Sequence, residues 1–318
     1  MRGPVDGPEA ALKNFRVALL LASCLCGLAA HAQEDAEPPV QAASSTRPAL
    51  RPEIVEIAVK GAGAFGGDVN MVTQVFKPAG AGPFPVLLFS HGRAGTQTER
   101  SKLARPIPAD QARFWLDKGY AVVAPIRVGY GATGGPDAEV NGAKFDNEGR
   151  CLSRPDFRGA AEAARKAVAV TLEWIRAQPW ADAHRVILEG QSVGGLATVA
   201  AAARKPDGVL AYINFAGGAG GSPERSPGHG CDPDQLTALY TEFGAKTSIP
   251  NVWIYAANDQ YWGADAPKAW HAGFAKGGSR TTFVQAPAVS DGDGHGLSRH
   301  APRLWARYLN EFLDSVGK

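Results

Sequence analysis

Arg185-Val186-Ile187-Leu188-Glu189-Gly190-Gln191-Ser192-Val193-Gly194-Gly195-Leu196-Ala197-Thr198-Val199-Ala200-Ala201-Ala202-Ala203 is the stretch that decides how this chain folds. Residues 185–189 form a short apolar run with two β-branched members, which predicts a buried strand. From Leu196 to Ala203 the residues are small and mostly apolar, which predicts a helix lying close against its neighbours. Between them, Gly-x-Ser-x-Gly leaves five residues in which the chain must turn from strand to helix. A turn that sharp brings strand and helix nearly into contact, leaving no room for a Cβ at 190 or 194. Ser192 is then expected in a strained conformation, its Oγ raised above the sheet. The pentapeptide alone is a weak signal in a chain with 38 glycines. The strand before it and the helix after it make it specific.

On both sides of this unit, apolar runs alternate with helical patterns. Residues 53–60 and 69–77 predict the strands of an opening hairpin around the glycine-rich 61–67. Further strands are expected at 85–90, 121–126, 209–215, 251–257 and 281–286, and a helix at 108–118. The clearest helix is 156–178, where Phe157, Ala161, Ala164, Val168, Leu172 and Ile175 recur every three or four residues. Trp305, Leu309, Phe312 and Val316 put one face of a closing helix on the core. Strands alternating with helices imply an α/β fold with a mostly parallel sheet covered on both faces. Ligands of such sheets bind beyond the carboxyl ends of the strands.

The chain has 318 residues, 45% of them hydrophobic, and a net charge of +2 with Lys and Arg scattered rather than striped. That fits one catalytic domain, 53–318, and points to no nucleic acid partner. Residues 1–32 read as a signal peptide: Arg2, Lys13 and Arg16, then an apolar run from Val17 to Ala30, then the cleavage site Ala30-His31-Ala32. The run is short for a membrane span, so export to the periplasm or medium is expected, without stable membrane insertion. Leu21-Ala22-Ser23-Cys24 also reads as a lipobox, which would make Cys24 a lipid anchor. The apolar run continuing past Cys24 favours cleavage over anchoring. Residues 33–52, rich in Pro, Ala, Ser, Glu and Gln, predict a disordered or loosely draped leader. Cys151 and Cys231 then remain, and in an oxidising compartment they are expected to pair.

A serine hydroxyl is a poor nucleophile without a base, and the base needs an orienting partner. The loop after the last strand reads Asp291-Gly292-Asp293-Gly294-His295-Gly296-Leu297, and the loop after 251–257 reads Asn258-Asp259-Gln260-Tyr261-Trp262. After 85–90 comes Ser90-His91-Gly92-Arg93-Ala94-Gly95. With the serine pentapeptide, these stretches resemble the α/β-hydrolase superfamily, and within it the serine members of the dienelactone-hydrolase-like branch. The resemblance runs from Pro85 to Leu297. It departs in one respect: dienelactone hydrolases proper use cysteine where this chain has Ser192.

The resemblance implies a Ser–acid–His order, hence Ser192 as nucleophile, Asp259 as acid and His295 as base, with Asp265 the next candidate acid. Asp291 and Asp293 are expected to form turns. The oxyanion hole is assigned to the N–H groups of Val193 and Arg93, with His91 bracing the loop that carries Arg93. Tyr130, Phe215, Tyr261 and Trp262 follow strand ends and are candidates to line the substrate pocket. The segments 127–155 and 217–247 are expected to form a small cap, with one helix near 233–245. No metal-ligand spacing and no phosphate-binding glycine loop is present, so no metal and no cofactor are expected. The expected function is hydrolysis of carboxylic esters, on a small molecule or carried by a polymer. Two readings stay open beside it: a peptidase of the prolyl-oligopeptidase type, though no propeller-sized region precedes the domain, and a binding protein that keeps the fold without catalysis.

Overall fold

The computed structural model describes residues 49–290 and 292–317. The signal segment 1–32, Cys24, the leader as far as residue 48 and Asp291 lie outside the described residues. Eight strands build one sheet: β1 (Glu53–Val59), β2 (Val69–Phe76), β3 (Phe84–Ser90), β4 (Ala121–Pro125), β5 (Ala181–Gln191), β6 (Val209–Phe215), β7 (Asn251–Ala256) and β8 (Thr281–Ala286). Their order across the sheet is β1-β2-β4-β3-β5-β6-β7-β8. The hairpin β1–β2 joins one edge antiparallel, and all strands from β4 to β8 run parallel. The helices are α1 (Gln97–Ser101), α2 (Ala109–Asp117), α3 (Phe157–Arg176), α4 (Val193–Ala202), α5 (Pro233–Gly244), α6 (Ala266–Ala275), α7 (Leu297–His300) and α8 (Pro302–Ser315).

Period-two alternation along each strand feeds two cores. Val86, Leu88, Val186, Leu188, Trp253 and Tyr255 face a core closed by α3 to α6. Leu87, Phe89, Ile187, Val252 and Ile254 face a second core closed by α2 and α8. Because both faces are buried, the central strands carry apolar residues in both parities and read as continuous runs. The stripe predicted on α3 is buried throughout, as is every residue of α4, whose small side chains let it lie close to the sheet. Trp305, Leu309 and Phe312 of α8 fill the second core as expected.

The chain leaves β3 for β4 on one side, then crosses to β5 on the other. The loops after β3 and β5 therefore diverge at the carboxyl edge and open a crevice between them. Leu50, near the end of the leader, packs against the second core. Two expectations are corrected. Strand β5 begins at Ala181, not Arg185, because Ala181 pairs with Phe84 of the neighbouring β3. The helix expected in the cap, α5, buries Leu236, Leu239, Tyr240 and Phe243 in the first core, so it covers the sheet and not the site. Roofing is left to the loops after β4 and β6.

Candidate active site

Ser192 connects β5 to α4 with φ 56° and ψ −125°, a region that costs a non-glycine residue on the order of 1–3 kcal/mol. The surroundings hold it there: its N–H donates to Phe215 O at 2.9 Å, and its carbonyl accepts from Leu196 N–H at 3.0 Å. A Cβ at Gly190 would lie 2.1 Å from Gly194 O, and one at Gly194 would lie 2.0 Å from Ser90 O. The turn closes only with glycine at both positions.

Three loops bring the catalytic candidates together. His295, in a single 3-10 turn between β8 and α7, places Nε2 3.0 Å from Ser192 Oγ. Its Nδ1 lies 3.0 Å from Asp259 Oδ2, in the loop after β7. Buried Asp259 has its other oxygen filled by the N–H groups of Tyr261 (2.8 Å) and Trp262 (3.1 Å). A carboxylate so placed accepts Nδ1–H, leaving the Nε2 lone pair facing the serine hydroxyl. The arrangement can therefore take a proton from Ser192 Oγ and stabilise the imidazolium that results. Asp293 plays the turn role expected of it, accepting from the N–H groups of His295 and Gln260, both at 2.8 Å, and so tying the His loop to the Asp loop. Asp265 is the N-cap residue of α6, pairs with Lys268 and stays away from the histidine. Gln191 closes the assembly by donating to His295 O at 3.2 Å.

Two clefts meet here. One, of about 730 Å³, contains Ser192 and Val193 and is walled by Tyr261, Trp262, Phe145 and Leu152. The other, of about 380 Å³, is lined by His295, Gln191, Gly92 and Arg299. Arg93 borders both. Tyr261 and Trp262 wall the cleft at Ser192, with Tyr261 stacked on the His295 ring at 4.0 Å and Trp262 meeting its edge at 5.5 Å. The glycine-rich roof wraps Trp262: a Cβ at Gly218 or Gly221 would fall 2.9 or 2.7 Å from its ring. Cys151 and Cys231 are joined with Cα atoms 5.0 Å apart, stapling the two roof loops to each other.

Two expected pocket residues are elsewhere. Phe215 shares the parity of Ala211 and Ile213, so it points into the second core against Trp305. Tyr130 is buried with its hydroxyl donating to Glu139 Oε2 at 2.7 Å, in the loop after β4. Neither borders the two clefts. His91 braces its loop as expected: Nδ1 donates to Gly92 O at 2.7 Å, and Nε2 accepts from Arg127 N–H at 3.1 Å. Burial, then the adjacent Arg127 charge, hold its pKa well below the usual imidazole range, so the ring stays neutral.

Two features have no signature in the sequence. Arg127 and Glu139 form a buried ion pair behind the Arg93 loop. Glu189, three residues before the serine, is buried under α2 and accepts from Gln111 Nε2 (2.6 Å) and Trp115 Nε1 (2.7 Å). Only contacts between distant segments define these pairs, and a run of single residues cannot announce them. Among the described residues, no group of His, Cys, Asp and Glu is arranged to hold a metal ion, and no helix is long and apolar enough to cross a membrane.

The fold is shared with solved structures of low sequence identity. An esterase from Pyrococcus furiosus matches with a TM-score of 0.56 at 12% identity, over 85% of this chain and 92% of that one. The esterase Est1E from Butyrivibrio proteoclasticus matches with a TM-score of 0.52 at 15% identity, over 83% and 98%. Pyrococcus horikoshii acylaminoacyl peptidase matches with a TM-score of 0.54 at 14% identity, over 85% of this chain but 42% of that longer one. No curated protein matches the sequence significantly. Residues 66–247 match the sequence model of X-Pro dipeptidyl-peptidase (S15 family), a span that holds the Arg93 loop, the serine turn and both roof loops. That span exceeds half of the chain, and the protein accordingly belongs to the S15 family of α/β-hydrolase-fold enzymes.

Proposed function

We propose that this chain is an exported serine hydrolase of carboxylic esters, acting through an acyl-enzyme on short acyl groups or on ester groups carried by a polar molecule. The observation that carries the reading is the Ser192–His295–Asp259 relay, with both contacts at 3.0 Å, opening on a cleft roofed by loops. His295 Nε2 takes the Ser192 proton as Oγ attacks the ester carbon. The oxyanion that forms is held by the N–H groups of Val193 and Arg93. Collapse expels the alkoxide, which leaves with the proton from Nε2, and water then repeats the sequence on the acyl-enzyme. Tyr261, packed flat on the imidazole, limits its rotation through both steps.

The cleft walls support the substrate class. Phe145, Leu152 and Trp262 offer a short apolar surface, and Glu99, Lys144, Glu224 and Arg225 interrupt it with charges of both signs. A long acyl chain gains about 0.8 kcal/mol for each methylene it buries, and a wall so interrupted by charges offers little apolar surface for that. Export is supported by the Cys151–Cys231 bridge, which suits an oxidising compartment.

A second reading is removal of a dipeptide from a peptide N-terminus. It is favoured by the family match and by Glu99 and Glu224 on the Ser192 cleft, since a free ammonium group needs a carboxylate partner. The test is kcat/KM for p-nitrophenyl acetate, butyrate and palmitate beside Ala-Pro-p-nitroanilide. The proposal expects the two short esters to lead. A steady rise to palmitate overturns the short-acyl reading, and dominance of the anilide makes the enzyme a peptidase.

A further inference from the structure

We infer that the roof segment from Arg127 to Glu139 is a splint that aims the Arg93 N–H at the reaction's oxyanion, with Arg127 its principal positioning residue. The inference rests on the acyl-transfer reading above. It starts from the planarity of the peptide unit: in a trans peptide, the C=O of one residue and the N–H of the next point in opposite directions. Fixing a carbonyl on one side therefore aims the following N–H to the other. The carbonyls of both His91 and Gly92 are held from behind by buried side chains. Arg127 Nη1 donates to His91 O and, at 3.2 Å, to Ser90 Oγ. Gly92 O receives His91 Nδ1–H at 2.7 Å, supplemented by Arg127 Nη2 at 3.4 Å. His91 is oriented in turn by the Arg127 N–H on its Nε2.

The Arg93 N–H must then face away from Arg127. On that side lie the two clefts that Arg93 borders, and the backbone approaches the nucleophile so closely that a Cβ on Gly92 would stand 3.3 Å from Ser192 Cβ. Among the described residues, the Arg93 N–H donates to no protein group, and neither does that of Val193. Two preorganised donors are left facing the space above Ser192.

The splint is itself locked. Glu139 forks onto Arg127 through Nε and, at 3.0 Å, Nη2, and accepts a third hydrogen bond from Tyr130 OH at 2.7 Å. A second arm acts on the donor residue. Asp137, two residues before Glu139, grips the Arg93 guanidinium at 2.9 and 3.3 Å and also pairs with Arg100 at 3.2 Å. Side chain and preceding carbonyl of the Arg93 unit are both tied to one roof segment, so the placement of that segment sets the geometry of the hole. Lysine at 127 would keep the charge opposite Glu139 but cannot reach two carbonyls, because it lacks the planar fork.

The experiment compares Arg127→Lys, Arg127→Ala and Asp137→Ala with wild type on p-nitrophenyl acetate. It also measures inhibition by a trifluoromethyl ketone, whose carbonyl takes the Ser192 Oγ and becomes an oxyanion in the hole. Removing one oxyanion donor costs about 10²–10³ in kcat. Arg127→Lys and Arg127→Ala should approach that loss with KM within about threefold, and ketone affinity should fall in the same proportion as kcat. Guanidinium ion should restore part of the activity of Arg127→Ala. Asp137→Ala, which removes the Arg93 arm and one acceptor for the Glu139 N–H but keeps the Arg127–Glu139 pair, should lose roughly tenfold in the same pattern, and it carries the test if the Arg127 variants do not fold. Folded variants with unchanged kcat overturn the inference, as does a kcat loss without matching loss of ketone affinity. Fluorophosphonate labelling of Ser192 in wild type reads the acyl-transfer proposal separately: without labelling that proposal fails, and with labelling but no effect of these variants only the splint fails.

Discussion

Asp259 and Glu189 are both carboxylates buried near Ser192, and what surrounds each gives them opposite characters. Asp259 sits in a loop at the carboxyl edge, facing two backbone N–H groups and the His295 imidazole. Glu189 sits in β5 under α2, facing a neutral amide and a neutral indole. Burial dominates there and pushes its carboxyl up to about 8, against the weaker opposite pull of Trp115 and Gln111. Depth alone does not make a buried carboxylate part of a reaction. Under the proposed mechanism a partner whose charge changes would do so, and of these two acids Asp259 is the one facing such a partner.

Substitution at the relay should produce the largest effects. Ser192→Ala and His295→Ala are each expected to lower kcat by roughly four to six orders of magnitude with the fold intact. A fluorophosphonate probe should label wild type and miss Ser192→Ala. Continued labelling and activity in that variant would move the site elsewhere and dissolve the contrast between the two acids. Asp259→Ala should cost less, about 10³–10⁴ in kcat, because the acid orients the imidazole and does not itself react. A loss as large as that of His295→Ala would mean that Asp259 does more than orient. Activity should also decline on the acid side, because a general base must hold a free lone pair to take the serine proton. A pH–rate profile flat from 5 to 8 would count against His295 as base, whereas His91, held neutral by burial, should contribute no limb of its own.

Much of this was legible before any coordinates, and the reason is local. The serine turn, its strand and its helix lie within one unbroken stretch, and backbone sterics set the glycines at 190 and 194. Residues following strand ends fall on one edge of a parallel sheet, so Asp259 and His295 could be assigned from chain order and the resemblance together. Errors came where strand parity or distant packing decides. Phe215 ends its strand like a pocket residue, yet its parity matches Ile213 and turns it to the second core. Tyr130 follows β4 as a lining residue would, yet Glu139, nine positions later, draws it inward. The helix α5 has the length of a lid, but its stripe of Leu236, Leu239, Tyr240 and Phe243 belongs to the sheet layer. Arg127 and Glu139 read as ordinary loop charges until folding brings them behind the oxyanion loop.

The smallest effect expected on activity is at Glu189, whose burial should show itself through stability. In the unfolded chain this carboxyl titrates near its ordinary 4.5, while in the folded protein it titrates at about 8. Folding therefore takes up a proton between those values. The stability this contributes is fully present below the unfolded pKa and is lost as pH rises through the folded one, with a slope approaching about 1.4 kcal/mol per pH unit. The neutral acid also has a hydrogen to give. Gln111 Oε1 is buried without a partner while its amide donates to Glu189, and the amide turned over can accept the carboxyl proton. Glu189→Gln reproduces that neutral arrangement at every pH, keeping an acceptor for Trp115 Nε1 and a donor for Gln111. Its kcat/KM should stay within a few-fold of wild type, since the Glu189 carboxyl bonds to Gln111 and Trp115 of α2. Urea unfolding of both proteins from pH 5 to 8.5 should show wild type losing stability relative to Glu189→Gln as pH rises. Parallel stability curves would mean that Glu189 is ionised in the folded state, and the two buried acids would then differ in partners but not in charge.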